Sequence, residues 1–421
     1  MDKRFFLKTS SLAGLGSLMA LPALGKLMNA ASPVSRPASL SEEDFWLNIR
    51  GDYKLKPDYI NLENGYYCIQ PQPVLDATIS HLKEVNYQGA FYMRTVQFEN
   101  KNKISAKLAE LAGCTPEELV ITRNTTEALD MIIGGMHWEK GDEAVMAEQD
   151  YGAMLDMFGQ VSKRYGVVNK IISVPNHPKS DEEIIALYAN AITPKTKLLM
   201  ISHLINITGQ ILPVRKLCDM AHSKGVPVLV DGAHAFAHIQ FKLDELNCDY
   251  YGCSLHKWLS VPLGAGFLYV RKANIPVVWP LFAENEHKTD DILRLNHTGT
   301  IPVHTDLAIA NAIDYYLKIG AQRKEERLRF LQNYWTGKVR SLPNIILNTP
   351  EDPTRSCAIA NVGIKNMKPE VMAETLLKKY KIYTVAIGGK GVFGCRITPN
   401  VYTTTADLDI LVSALKEMAA G

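Results

Sequence analysis

In the stretch YGCSLHKWLSVPLGAGFLYV, Tyr251 to Val270, a lysine is set between His256 and Trp258. From Tyr250 to Val270, Lys257 and His256 are the only side chains able to carry positive charge. A solvated lysine sits among other charges. One isolated among Leu255, Trp258 and Leu259 is desolvated, which lowers its pKa and frees the amine to act as nucleophile or base. Asp231 and His234 follow the apolar run Val226 to Val230 in VPVLVDGAH, and an acid at the end of a buried strand needs a cation or a set of donors facing it. In ITRNTTEALD, Thr125 and Thr126 open a helical pattern, where free backbone N–H groups and the helix dipole hold a phosphate. MAEQDYGAML supplies a flat aromatic, Tyr151, at the end of a further strand. Anion cradle, flat aromatic, buried acid and isolated lysine are the parts that hold pyridoxal phosphate.

These residues need a scaffold that delivers them to one place. ELVIT, DEAVMAE, NKIISVP, KLLMIS, VPVLVDGAH and GAGFLYV read as strands, and between them TEALDMIIGGM, YGAMLDMFGQVSKRYG, DEEIIALYANAI and VRKLCDMAHSKG carry apolar residues at helical spacing. That alternation predicts an α/β fold with a mostly parallel central sheet and flanking helices. In such open sheets ligands collect beyond the carboxyl ends of the strands, which is where Tyr151, Asp231 and His234 fall. After Thr300 come a long helix in TDLAIANAIDYYLKIG, a charged helix in RKEERLRFLQNYWTGKV and a β/α tail, a smaller α+β unit. The expected organisation is an export signal at 1–31, a linker and N-terminal segment at 32–60, a large cofactor-binding domain at 61–300 and a small C-terminal domain at 301–421.

Residues 1–31 have a basic start, an apolar stretch rich in Leu, Ala and Gly, and then small residues, the layout of a cleaved export signal. KRFFLK, Lys3 to Lys8, is similar to a twin-arginine signal with Lys3 in place of the first arginine, so export to a bacterial periplasm is expected. The apolar stretch is too short and glycine-broken to span a bilayer, so no stable membrane insertion is expected after processing. With 46 basic and 44 acidic residues, the chain offers no field that would attract nucleic acid. Seven cysteines, at 68, 114, 218, 248, 253, 357 and 395, form no C-x-x-C pair and indicate neither a zinc site nor a disulfide framework. HAFAH sets His234 and His238 four apart without a following glutamate or an evident third ligand, so no metal is expected.

In this order the motifs resemble the class V aminotransferases, the pyridoxal-phosphate enzymes of fold type I, and most closely their isopenicillin-N-epimerase-like branch. The likeness runs from NLENGYY at Asn61 to RITPNVYTT at Arg396. It implies that Lys257 forms a Schiff base with the cofactor and that Ser254 and His256 join Thr125 and Thr126 at its phosphate. It further implies that Tyr151 stacks on the ring, Asp231 pairs with the ring nitrogen, and His234 and Asn206 lie near the ring hydroxyl. Asn64, Gly65 and Arg396 are implied at the substrate, with Arg396 clamping a carboxylate through its planar fork. NHTGT is similar to a loop that a second subunit lends to the phosphate through Thr298 and Thr300, so a homodimer with shared active sites is implied. Exported siderophore-tailoring enzymes combine this fold with a twin-arginine signal.

The expected reaction is on an amino acid or the amino group of a peptide-like metabolite, of aminotransferase or epimerase type. Two other readings stand beside it: a pyridoxal-dependent carbon–sulfur lyase, and a non-catalytic binding protein that retains the fold. A desulfurase would need a nucleophilic cysteine on a loop well before the clamp arginine. Here Cys395 directly precedes Arg396, and TVAIGGKGVFG upstream holds no cysteine.

Overall fold

The computed structural model describes residues 41–420. The expected export signal therefore lies outside the described residues.

The chain begins with α1 (Glu42–Gly51), β1 (Ile60–Asn61), α2 (Gln72–Gln88) and α3 (Gln97–Ala112), the last two joined through a π-helical turn at Tyr92–Val96. Strand and helix then alternate through β2 (Leu119–Thr122), α4 (Thr125–Gly135), β3 (Glu143–Ala147), α5 (Gly152–Tyr165), β4 (Val168–Ile172) and α6 (Asp181–Ala191). They continue with β5 (Thr196–Ser202), α7 (Val214–His222), β6 (Val228–Asp231), the single turn α8 (Leu243–Leu246), β7 (Tyr250–Ser254) and β8 (Gly266–Val270). Two long helices follow, α9 (Val303–Ile319) and α10 (Ala321–Val339). The tail comprises β9 (Ile345–Leu347), β10 (Ala360–Ile364), α11 (Pro369–Tyr380), β11 (Ile382–Tyr383), β12 (Val385–Gly389), β13 (Val392–Ile397) and α12 (Thr405–Ala420).

The central sheet has the order β2-β8-β7-β6-β5-β3-β4. Its inner pairs are parallel, and β8 alone runs against its neighbours β2 and β7. Successive residues of a strand point to opposite faces. Leu198, Met200, Leu229 and Tyr250 accordingly enter one apolar layer, while Leu199, Ile201, Val228, Val230 and Tyr251 enter the other. Burial on both faces explains the near-continuous apolar runs of the inner parallel strands β3, β5 and β6. All of the expected strands are present. The additional one, β7, contains Gly252 and Cys253 rather than an aliphatic run. A Cβ at Gly252 would lie 2.7 Å from Leu129 Cδ2, so this glycine lets α4 pack directly on the sheet.

The smaller unit is a four-stranded antiparallel sheet, β12-β13-β10-β9, with its own core of Leu331, Trp335, Val362, Leu376, Ile397 and Leu411. Of the residues expected there, α9 instead packs into the larger core through Ile309, Ala312 and Ile313. The N-terminal segment crosses to this unit as well. β1 pairs in parallel with β11, Leu62 enters the small core, and Glu63 bridges to Thr398. That crossing brings the NLENGYY stretch beside β13, where Arg396 resides.

Candidate active site

The carboxyl ends of β5, β6 and β7 and the start of α4 open onto one cavity of about 510 Å³. Three local features build the end of the cavity where α4 begins. Asn124 caps α4 by accepting from the Glu127 backbone N–H at 2.9 Å. Ser254, the last residue of β7, accepts from the Thr125 N–H at 2.9 Å and pairs with the Thr125 hydroxyl at 2.7 Å. Gly266 lets this turn close on the sheet, since a Cβ there would sit 2.8 Å from Asn124 Cα. The helix start is thus tied to the strand that precedes Lys257.

Lys257 lies in the turn after β7. Ser260 closes that turn by donating its N–H to the Lys257 carbonyl at 2.9 Å, with φ of 59°. The Lys257 Nζ is 2.9 Å from His234 Nε2. Burial pushes the ammonium down to about 8, Asp231 opposes that shift and Arg396 adds to it. Asp231, 6% exposed at the end of β6, accepts from the Ala233 N–H at 3.0 Å. It makes no ion pair among the described residues, and burial raises its pKa, with the Ala233 N–H and Lys257 as lesser opposing influences. Burial also holds His234 well below the usual histidine range and His256 down to about 4, so both rings are neutral at physiological pH.

Arg396 projects from β13 and is 6% exposed. Its Nε and Nη2 donate to Glu63 at 3.2 and 2.5 Å, and its Nη1 donates to the Asn206 carbonyl at 3.2 Å. The guanidinium lies against Gly65, where a Cβ would be 2.6 Å from Arg396 Cζ.

The cavity therefore collects Gly65, Thr125, Thr126, Tyr151, Asn206, Asp231, His234, Ser254, His256, Lys257 and Arg396. Tyr151, 46% exposed, stands at the start of α5. Three of the expected residues are elsewhere. Asn64 is fully buried and its side chain is used within the fold, donating to the Thr398 carbonyl at 2.7 Å and accepting from the Tyr402 hydroxyl. It is not among the residues that line the cavity. Thr298 and Thr300 line a separate cavity of about 580 Å³ with Arg94, Lys101 and Asp306. His238 turns away from the site. Its Nδ1 meets the His234 carbonyl at 2.7 Å, its Nε2 accepts from the Ala358 N–H at 2.9 Å, and its ring stacks 3.7 Å from that of Trp258.

Several lining residues carry no local sign of their place in the site. Arg123, Tyr66, Ser202, Val385 and Ile387 border the cavity, and Glu63 stands behind Arg396. Arg123 and Glu127, paired at 3.0 Å, are four apart on the approach to α4, a spacing legible as a helical ion pair. Glu63 carries no such signal, because its partner is at Arg396.

A flat, anionic aldehyde cofactor suits this chemistry. His234 Nδ1 and His256 Nδ1 are buried without hydrogen-bond partners, and Asp231 is a buried carboxylate that makes no ion pair among the described residues. All three are groups that a bound polar molecule would satisfy.

A family model, aminotransferase class V, matches residues 68–411. Isopenicillin N epimerase of Amycolatopsis lactamdurans is 27% identical over 393 residues, 89% of this chain and 98% of that protein. A probable cysteine desulfurase of Methanothermobacter thermautotrophicus is 24% identical over 341 residues, 78% of this chain and 84% of that protein. Among solved structures, an apo cysteine desulfurase from Thermococcus onnurineus NA1 superposes with TM-score 0.78 at 20% identity, covering 89% of this chain and 98% of that one. The cystine C-S lyase C-DES in complex with cysteine persulfide does so with TM-score 0.78 at 20% identity, covering 86% and 97%. With a family match that spans the sheet, the lysine turn and Arg396 alike, the chain belongs to the class V aminotransferase family.

Proposed function

We propose that this protein is a pyridoxal-phosphate-dependent enzyme that acts at the α-carbon of an amino acid or an amino-bearing peptide metabolite, of aminotransferase or epimerase type. The observation that carries the reading is the convergence of Lys257, Asp231 and Arg396 on one cavity. A carrier of the cofactor would need no carboxylate clamp.

When bound, the cofactor supplies an aldehyde for covalent attachment and a protonated ring that draws electrons from the substrate's α-carbon. The chain's own groups divide the remaining work. The start of α4, with Thr125, Thr126, Ser254 and His256, binds the phosphate. Asp231, the buried carboxylate at the end of β6, would hold a proton on the ring nitrogen. Lys257, with a pKa near 8, is partly unprotonated at neutral pH and moves the proton at the α-carbon. Neutral His234 accepts from Lys257 and keeps the amine directed into the site. Arg396 fixes the substrate carboxylate, and its direction from the α-carbon decides which bond faces the ring.

A desulfurase mechanism that hands sulfur to an enzyme thiol lacks support, because none of the lining residues is a cysteine. Cys395 is buried with its thiol pushed up to about 12, and its Sγ faces the Pro369 carbonyl. A lyase that releases sulfur directly would use the same residues as the proposed enzyme. The experiment loads the purified protein with pyridoxal phosphate and screens amino acids for α-proton exchange in D₂O, amine transfer to pyruvate and sulfide release. Exchange or transfer without sulfide supports the proposal, sulfide release from cysteine or cystine moves it to the lyase class, and no change with any amine donor refutes an enzyme. We also propose that the enzyme is exported and works as a homodimer. Fractionation of cells making the Arg4→Lys protein tests the first point, since unimpaired export would contradict a twin-arginine route.

A further inference from the structure

Arg396 lines the site cavity, yet one full edge of its guanidinium is engaged from outside that cavity. Glu63 takes Nε and Nη2 at 3.2 and 2.5 Å, is itself 7% exposed and does not line the cavity. The Asn206 carbonyl takes one Nη1 proton at 3.2 Å. A guanidinium has five N–H groups, so one on Nη1 and one on Nη2 remain for a ligand. The other arginine of the cavity repeats the pattern, with Glu127 on Arg123 Nε at 3.0 Å.

We propose that Glu63 acts through Arg396 by balancing its charge: the carboxylate occupies the Nε edge of the guanidinium and offsets its positive charge, so that the site takes a single carboxylate at the remaining N–H groups and releases it readily. This rests on the reading of Arg396 as the substrate clamp. Two effects compete when Glu63 loses its charge. Orientation is over-determined, because the Asn206 carbonyl and the close backbone of Gly65 still hold the guanidinium plane. Charge is not, because a cation 6% exposed is left without a counter-ion and becomes a stronger anion site. The charge effect prevails, and removing Glu63's charge tightens carboxylate binding. A residue that merely supported the fold would weaken it.

The test uses the cofactor-loaded protein and amine-free propionate, followed by calorimetry. Glycine and methylamine are compared in parallel by their rates of reaction at the bound cofactor. Glu63→Gln should bind propionate at least fivefold more tightly and raise the glycine-to-methylamine rate ratio by a similar factor, with methylamine itself unchanged. Arg396→Gln should abolish propionate binding with or without the Glu63 change. Unchanged or weakened propionate binding in Glu63→Gln overturns the proposal, as does wild-type protein that fails to bind propionate. Should the glutamine variant not fold, Glu63→Asp decides between the two roles, since a carboxylate drawn back by one methylene should tighten binding about twofold and a structural role would loosen it. A protein that takes up no pyridoxal phosphate fails the functional proposal instead, and that is read separately from the visible spectrum.

Discussion

The Lys257 amine and the neutral His234 ring meet at 2.9 Å, inside the cavity that also holds Asp231 and Arg396. An amine in that setting is costly to keep protonated. Its pKa falls from 10.5 in the unfolded chain to about 8, with burial as the chief cause. Between those values the unfolded chain binds more protons than the native one, so Lys257's unfavourable contribution is complete below pH 8 and fades as pH rises toward 10.5.

Lys257→Met should therefore stabilise the cofactor-free protein at pH 7, by about 1–3 kcal/mol. Thermal melts across the alkaline range check it. The advantage should shrink from pH 8 to 10.5, and a difference that is flat with pH would show that Lys257 is not desolvated.

Asp231→Asn removes a buried carboxylate whose pKa burial has raised, so the empty protein should lose no stability at neutral pH. Turnover should fall by about 100-fold or more, because an amide cannot hold a proton on the ring nitrogen. Steady-state rates beside the visible spectrum separate these effects: cofactor retained with little activity is the expected pattern.

How far the sequence revealed this site follows from what each residue needed. Lys257 and Asp231 were legible because each breaks a local rule, a lone cation in an apolar stretch and an acid at the end of a buried strand. The strand β7 was not, since Gly252 and Cys253 hide it and its glycine answers to Leu129 on α4. Asn64 was placed at the substrate only by the resemblance, and its own stretch gave no sign that Thr398 and Tyr402, far along the chain, take up its amide. Glu63, one residue earlier, was overlooked for the same reason: only the pairing of the N-terminal segment with the small unit brings it to Arg396. Local patterns thus picked out residues that stand out in their own stretch, and missed those brought to the cavity by long-range contact.

Gly65→Ala should strike the clamp and spare the cofactor. Its new Cβ would lie 2.6 Å from Arg396 Cζ and force the guanidinium off its position. We expect KM for a carboxylate substrate to rise about tenfold, equivalent to about 1.4 kcal/mol, with the cofactor spectrum unchanged. Loss of cofactor together with substrate affinity would show that the effect is a general one on folding.

The separation of Thr298 and Thr300 from the Lys257 cavity gives the homodimer proposal a sharp test. Subunits carrying Lys257→Ala and subunits carrying Thr298→Ala with Thr300→Ala should each be impaired alone. If each loop serves the neighbouring site, mixed dimers regain one intact site and a quarter to a half of normal activity, an order-of-magnitude expectation for shared sites. No recovery on mixing, with hybrid dimers confirmed by mass, would place both functions within one subunit.

The central claim is that Lys257 carries the cofactor. Borohydride reduction of the protein loaded with pyridoxal phosphate, followed by peptide mass mapping, tests it most directly. The account predicts one pyridoxyl adduct on the peptide containing His256, Lys257 and Trp258, and none in Lys257→Ala. An adduct on another lysine, or a reducible link that survives in Lys257→Ala, would contradict it.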